Sequence, residues 1–393
     1  MKITGIETIH LADTPFVLYV RIETDEGLVG TSDTFMMAEG IRGYIHGRAA
    51  PKLLGQDAAQ IQRHWTALYD RDAARFGGAG IEVRAISAID GALWDILGQA
   101  TGRPIYELLG GRSRDRIRIY NTCGGPAYGR PPYEQYGRPG ELEDLWAWNN
   151  EPEALAAALL EEGITAMKFW PFDTAGLRNE GLYIDAEELN AGLEPIRRIR
   201  EAVGSRMKIM IDGHGFWRLP AAIKIARALE EYDIEWIEDM LLAHDIGALA
   251  ELKAATRVPV LASEYLVTRH QYLPLLQQRA ADIVMLDPTW TGGITESHKI
   301  GILADTYGLP VSMHDCTGPF TLLAGVHLAL AAPNAIYQET VRAYIRTWYR
   351  DVVPHSVEIV DGAILPPTAP GIGTFLLPDV TSRSDATVQR SEL

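Results

Sequence analysis

Cysteine is scarce in this 393-residue chain, which holds Cys123 and Cys316 and no other. Two thiols do not make a disulfide framework, so the expectation is two free, packed side chains in a reducing, cytoplasmic setting. Long hydrophobic runs are missing as well. No apolar stretch reaches the length of a membrane span, and the opening MKITGIETIHLADTPF lacks the charged-then-apolar plan of a secretory signal. Positive charge is in deficit, with 36 Lys and Arg against 52 Asp and Glu and a formal net charge of −16. That leaves no clustered cationic surface for nucleic acid or an anionic membrane. An anionic small molecule stays open, because a bound divalent cation reverses the local field. P-loop, Cys/His zinc, leucine-zipper and low-complexity patterns are all lacking.

What the chain does have is a regular series between Met207 and Glu339. The short apolar runs MKIMIDGH, IEWIED, VPVLASE, ADIVMLD, LPVSMHD and AIYQE each end on ionisable residues. These are Asp212 with His214 two residues on, Glu238, Glu264, Asp287, His314 and Glu339, at intervals of 26, 26, 23, 27 and 25 residues. Each interval fits one strand, one helix and two short loops, the signature of parallel βαβ units. IRIYNT (117–122) and ITAMKFW (164–170) supply two earlier strands, making eight. The predicted fold class is α/β, a (β/α)8-type barrel, with functional residues at the carboxyl ends of its strands.

The first 115 residues read differently. KITGIETIHL and FVLYVRIETDEGLVGTSDTF alternate as strands, with a hairpin turn at Asp25-Glu26-Gly27. Helical segments follow at 37–52, 58–73 and 80–101, the last stopped by Gly102-Arg103-Pro104. This is an α+β module distinct from the barrel. Between barrel strands one and two lies a Gly-, Pro-, Tyr- and Trp-rich segment, 124–150, read as a long loop that is either a lid or oligomer contact or an ordered surface excursion. A short strand pair is expected around VEIVDGAIL, and the polar residues from Thr381 onward read as frayed.

Asp212, Glu238 and Glu264 form a triad of carboxylates without sulfur, a hard-oxygen set suited to Mg²⁺. Asp287 and His314 end neighbouring strands, so the carboxylate can orient the imidazole as a general base. His214 lies across the barrel from His314, between Gly213 and Gly215, which suggests a tight backbone path near a ligand. Lys168 ends strand two, where its ammonium can meet a substrate carboxylate, and Trp170 supplies an apolar wall on the same side. Glu339 either donates a hydrogen bond when protonated or orients a neighbour. Together these groups answer the problem of removing a proton beside a carboxylate: a cation for the developing charge, a base and a facing acid.

The helix AISAIDGALWDILGQATGRPIYELLGG, the triad, the Asp287/His314 pair, TGGITES (291–297) and Glu339 resemble the enolase superfamily, specifically its mandelate racemase-like subgroup. The resemblance implies a capping domain built from residues 1–115 and completed by 346–393, over a barrel of 116–345. It also implies that the segments around Asp13–Phe16 and Ser32–Glu39 help select substrate, and that the protein is a homo-oligomer. Many racemases of the subgroup carry Lys-x-Lys on strand two; here the motif is Lys168-Phe169-Trp170, so the second basic residue is missing. Asp-x-His at 212–214 is instead similar to the sugar-acid dehydratases of the galactonate, gluconate and mannonate type. The implied activity is a Mg²⁺-dependent hydro-lyase acting on a small sugar acid. His314 would take the C2 proton, the metal would stabilise an enediolate with help from Lys168 and Glu339, and His214 would expel the 3-hydroxyl. The alternatives are an epimerase or lactone cycloisomerase on the same scaffold, or a barrel that has lost turnover.

Overall fold

The computed structural model describes residues 1–128 and 138–393. Strands β1 (Ile3–Leu11), β2 (Val17–Thr24) and β3 (Val29–Phe35) form an antiparallel meander, and the hairpin at Asp25–Gly27 turns with Gly27 at φ 78°. The long helix Ile81–Thr101 lies against this sheet. It comes so close at Gly30 that a Cβ there would sit 2.0 Å from the Ala92 carbonyl oxygen. Gly102, at φ 68°, caps that helix in the left-handed conformation, as the Gly-Arg-Pro stop predicts.

The barrel strands are β4 (Ile117–Thr122), β5 (Ala166–Phe169), β6 (Lys208–Asp212), β7 (Trp236–Glu238), β8 (Val260–Ala262), β9 (Ile283–Leu286), β10 (Val311–Met313) and β11 (Ala335–Thr340). Each pairs in parallel with the next, and β11 closes on β4 through Gln338 opposite Ile119. A hairpin of β12 (Ile359–Val360) and β13 (Ala363–Ile364) adds antiparallel to the outer start of β4.

Side-chain alternation sets the contents of the barrel. Tyr120, Ala166, Met210, Trp236, Leu261, Met285 and Tyr337 form one buried apolar cluster. Two residues further along six of these strands stand Thr122, Lys168, Asp212, Glu238, Asp287 and Glu339, all buried. One step of the pleat therefore converts a hydrophobic plug into an ionic layer.

The polar tail corrects one expectation. From Ala386 to Glu392 it forms a strand, β14, paired antiparallel with β1 from Gly5↔Glu392 to Leu11↔Ala386. The exposed alternation ATVQRSE reads as frayed because β14 is an edge strand with no apolar face to advertise it. Among the described residues no helix is long and apolar enough to cross a membrane.

Buried aspartates join the α+β sheet to the barrel. Asp33 of β3 accepts hydrogen bonds from Phe320 N, Thr321 N and Thr321 Oγ1 at the start of helix Pro319–Ala331. Asp90 accepts from Thr295 N at the start of helix Gly293–Thr306, and Asp95 accepts from Thr31 N and Ile372 N. Burial is the leading cause that pushes Asp33 and Asp95 up to about 6 and Asp90 up to about 7. Asp90 Oδ1 has no hydrogen-bond partner, which suits a protonated oxygen.

Because the folded pKa of Asp90 is raised, its contribution to stability is complete below its ordinary value of 3.8 and is lost as pH rises through about 7. Asp90→Asn keeps an acceptor for Thr295 but does not titrate. Between about pH 5 and 8 the wild type should lose more stability than this variant, narrowing or reversing the gap between them. Thermal melts of the pair across that range check the prediction, and parallel curves would refute it.

Candidate active site at the barrel mouth

A cavity of about 430 Å³ opens at the carboxyl ends of the barrel strands, and Lys168, Asp212, His214, Glu264, His314 and Glu339 all line it. Asp287 and Glu238 lie just behind, fully buried and in contact with these residues. The strand-end residues predicted from sequence thus converge.

Lys168 is the centre of the ionic layer. Its Nζ lies 3.0 Å from Asp212 Oδ2 and 3.1 Å from Glu339 Oε1, and it donates a close hydrogen bond to Glu238 Oε1. Burial opposes the ammonium charge, but Glu238, Glu339 and Asp212 hold it well above the ordinary lysine value. Burial pushes Glu238 up; Lys168 opposes this, and Asp212, Glu339 and Glu264 add to it. Asp212 and Glu339 move down despite burial, drawn by His214 and Lys168 in the first case and by Lys168 and His314 in the second. Glu339 is therefore an acceptor. It takes hydrogen bonds from Thr122 Oγ1 and from Asp315 N, the latter at 3.0 Å.

The two histidines are held alike. His314 Nδ1 lies 2.7 Å from Asp287 Oδ2, leaving Nε2 3.5 Å from Cys316 Sγ and 3.8 Å from both Glu264 Oε1 and Glu339 Oε2. Burial lowers the His314 imidazole, and the surrounding acids with the Asp287 hydrogen bond reverse this and raise it well above its ordinary value. His214 Nδ1 lies 2.6 Å from Asp173 Oδ2, and its Nε2 lies 3.6 Å from Asp212 Oδ2. Burial again opposes the charge, but Asp212 and Asp173 lift His214 to about 10. The backbone at His214 is left-handed, φ 45°, and His214 N donates to Asp212 Oδ1 at 3.0 Å. A Cβ on Gly213 would come within 2.9 Å of Met240 Cα, so the tight path inferred from the paired glycines is present.

Asp173 is a site residue that sequence reasoning missed. It follows Trp170 by three residues, in WPFD, and begins the helix Asp173–Arg178 rather than ending a strand. Its acidity beyond a barrel strand was the available signal. The segment 124–150 is also more than a loop. Residues Asp144–Asn150 form a helix whose Leu145, Trp148 and Asn149 line the cavity, while 129–137 fall outside the described residues. From the α+β sheet, Phe35 and Met36 reach the cavity; Phe16 backs Phe35 with ring centroids 5.3 Å apart.

Among the described residues no three His, Cys, Asp or Glu side chains stand in metal-holding geometry. Two of the three acids of the triad, Asp212 and Glu238, instead hold the Lys168 ammonium. The residues nonetheless fit a hard divalent cation. Asp212 and Glu238 end successive strands and Glu264 follows the next one by two residues, all offering oxygen, and Glu264 Oε2 is buried without a partner. The like-charge crowding that raises Glu238 is what such a cation would cancel.

An eight-stranded barrel that gathers buried acids, a lysine and two aspartate-held histidines at the carboxyl ends of its strands has the architecture of a barrel enzyme. Residues 4–110 match the mandelate racemase/muconate lactonizing enzyme N-terminal domain, and residues 151–380 match the enolase C-terminal domain-like family. The chain belongs to the mandelate racemase/muconate lactonizing enzyme family of the enolase superfamily. It is 30% identical to the D-galactonate dehydratase of Pectobacterium atrosepticum, covering 95% of this chain and 91% of that one. It is 32% identical to that of Variovorax paradoxus, covering 86% and 81%. An enolase of the mandelate racemase subgroup from Agrobacterium tumefaciens is 40% identical, with a TM-score of 0.89 over 100% of this chain and 99% of that one.

Lys168→Met should leave the surrounding acids uncompensated, a loss of about 3–5 kcal/mol for a broken buried ion pair. Added Mg²⁺ should raise the melting temperature of this variant more than that of the wild type, and chelator should remove the gain in both. Melts that ignore Mg²⁺ in both proteins would contradict a cation site here.

Proposed function

We propose that the protein is a divalent-cation-dependent hydro-lyase acting on a sugar acid, with Mg²⁺ as the cation. The observation that carries this reading is the pair of Asp–His couples, Asp287–His314 and Asp173–His214, on opposite strands of one cavity. In each, Nδ1 is engaged by a carboxylate and Nε2 is left for a substrate. Asp212, Glu238 and Glu264 would hold the cation, which when bound supplies positive charge to a carboxylate and to the charge that develops on it. The same reading takes 1–115 with 346–393 as the capping domain and 116–345 as the barrel.

His314 Nε2, in the neutral state that a cation offsetting the charge of Glu264 and its neighbours would favour, takes the C2 proton, and the C–H electron pair moves toward the carboxylate. Lys168 orients that carboxylate and offsets its charge, while Glu339 keeps Lys168 and the Asp315 backbone in place. As the C2–C3 double bond forms, the C3–O bond breaks and His214 delivers a proton to the departing hydroxyl. Water leaves, and the enol tautomerises to a 2-keto-3-deoxy acid. The D-galactonate dehydratases among the relatives support this direction. The likeness of the two couples also suits a two-base epimerisation at C2, which would invert the substrate without loss of water.

In D₂O, His314→Asn should lose C2–H exchange by about 10²–10⁴-fold. His214→Asn should keep exchange and lose elimination. Proton NMR of the products reads both, and C2 inversion without a 2-keto-3-deoxy acid would decide for the epimerase. Asp173 acts through His214 as a positioning residue. Asp173→Ala should lower the ratio of elimination to exchange about tenfold or more, and Asp173→Asn, which can still hold Nδ1, should recover part of it. An equal fall in both rates for Asp173→Ala would mark a merely structural role.

A further inference from the structure

The cavity has an ionic floor and aromatic walls, and the groups behind its two histidines differ in how far the protein itself satisfies them. Behind His314 they are paired. Asp287 Oδ1 accepts from Thr289 N at 2.8 Å and from Thr289 Oγ1 at 3.0 Å, while Asp287 Oδ2 meets His314 Nδ1 at 2.7 Å. Trp290, whose ring packs on His314 with centroids 5.2 Å apart, donates its Nε1–H to Thr317 Oγ1 at 3.3 Å.

The matching groups behind His214 are incomplete. Asp173 gives Oδ2 to His214 Nδ1, but Asp173 Oδ1 has no hydrogen-bond partner in the protein, and neither has Trp148 Nε1. Both side chains line the cavity, with Asp173 only 6% and Trp148 only 5% exposed. Trp170 stands between them, its centroid 5.9 Å from that of Trp148 and 5.4 Å from that of His214. One wall thus carries a spare acceptor and a spare donor.

Buried polar atoms of this kind destabilise a protein until a partner reaches them. A carboxylate oxygen accepts and an indole N–H donates. The group that answers both at once is an alcohol. A second carboxylate or a phosphate would be repelled by Asp173, an ammonium has no lone pair for the indole proton, and an alkyl group would leave both atoms unmatched. Position along the substrate follows from the chain. Lys168 lies within β5, whereas Asp173 is reached by the turn beyond that strand, on the Nδ1 side of the ring whose Nε2 faces the substrate. With the carboxylate at Lys168 and the 3-hydroxyl at His214, the carbons that follow run toward Asp173 and Trp148.

We infer that Asp173 Oδ1 and Trp148 Nε1 form a subsite for a hydroxyl on C4 or C5 of the sugar acid, the carboxylate accepting the hydroxyl proton and the indole donating to the hydroxyl oxygen. The direction of the carbon chain in this assignment rests on the hydro-lyase reading. The substrate class narrows to acids hydroxylated beyond C3. Asp173 then has two tasks, orienting His214 through Oδ2 and selecting substrate through Oδ1.

The test uses the full-length Mg²⁺-supplemented enzyme and hexonates of every C2–C5 configuration. The hexonate with the highest kcat/KM by NMR, or the tightest binding by tryptophan fluorescence where none reacts, is compared with its 4-deoxy, 5-deoxy and 6-deoxy analogues. Either the 4-deoxy or the 5-deoxy acid should be poorer by about 100-fold or more, because a site built to hold a hydroxyl is left with stranded partners when that hydroxyl is missing. The 6-deoxy acid should stay within severalfold of the parent. Trp148→Phe, which keeps a ring against Trp170, should weaken the parent hexonate about tenfold and leave the sensitive deoxy acid unchanged. Asp173→Asn should cut the preference for the parent over that deoxy acid at least severalfold, since its effect through His214 falls on both and cancels in their ratio. The analogue series on the wild type needs no variant to fold.

Equal behaviour of all four acids, a loss confined to the 6-deoxy acid, or equal losses from Trp148→Phe on parent and deoxy acid would each overturn the subsite and leave the hydro-lyase reading standing. Selective binding of the parent with no keto acid formed would sink the hydro-lyase reading and keep the subsite. Failure of every hexonate to bind or react would overturn the subsite, and keto-acid formation from 2,3-dihydroxybutanoate in their place would keep the hydro-lyase reading.

Discussion

Buried carboxylates crowd a single lysine ammonium at the top of the barrel, and their mutual repulsion is the constraint to which the surrounding structure answers. Asp212, Glu238, Glu264 and Glu339 are all nearly or fully buried, where an unpaired charge costs several kcal/mol. Lys168 reaches three of them; Glu264 is left with one oxygen unpartnered and a histidine 3.8 Å away. No sequence under selection for stability alone would assemble this group, since hydrophobic residues of similar size would pack there at less cost. The arrangement makes sense as a site built to receive charge, with the apolar layer of Trp236, Met210 and Tyr337 beneath it closing the barrel to water from below.

The α+β sheet is tied to the same mouth. Asp33 and Asp90 cap the helices that follow barrel strands β10 and β9, the strands that lead to His314 and Asp287. A helix N-terminus presents free N–H groups that a carboxylate can satisfy, so each cap fixes both helix and sheet in one contact. Trp65 Nε1 donating to Gly292 O at 2.7 Å and Trp94 Nε1 to Thr295 Oγ1 at 2.9 Å reinforce this seam. Phe35, which ends β3, and Met36 just after it are thereby held over the cavity. Part of the cavity wall thus comes from the N-terminal sheet, while the lysine, the histidines and the acids of the floor come from the barrel.

The barrel and its strand-end residues were legible because two periodicities coincide. Alternation within each strand places apolar residues inward, and a repeat of some 25 residues places the next strand's end beside the last. Asp212, Glu238, Asp287, His314 and Glu339 all sit where that rule puts them. Asp173 escaped because it is reached by a turn of chain beyond a strand, and its partner His214 lies 41 residues away. β14 escaped because its stabilising contact is backbone pairing with β1, more than 370 residues distant, and backbone pairing leaves little mark on an exposed strand's side chains. Helix Asp144–Asn150 was hidden in a segment whose glycines and prolines read as loop, although Leu145 and Trp148 carry the helical spacing of its buried side.

The contrast between floor and walls has a consequence for the chemistry. Charge interactions that would be worth about 1 kcal/mol at 4 Å in water grow severalfold where solvent is excluded. Seven aromatic rings around the two histidines supply that exclusion, so the couples at Asp287–His314 and Asp173–His214 act in a medium that magnifies small differences in proton affinity. In the proposed reaction the same enclosure would shield a carbanion-like intermediate from protonation by bulk water. Under the proposed hydro-lyase reading, the acids beside each histidine support the division of roles between them. His314 shares Glu339 and Glu264 with the ionic floor where a substrate carboxylate would be anchored, and so lies nearer the carbon next to that carboxylate. His214 leans on Asp173, outside the ring of strand ends, and so is placed for the next carbon along. In that reading, a base and an acid on opposite strands would suit an anti elimination across adjacent carbons.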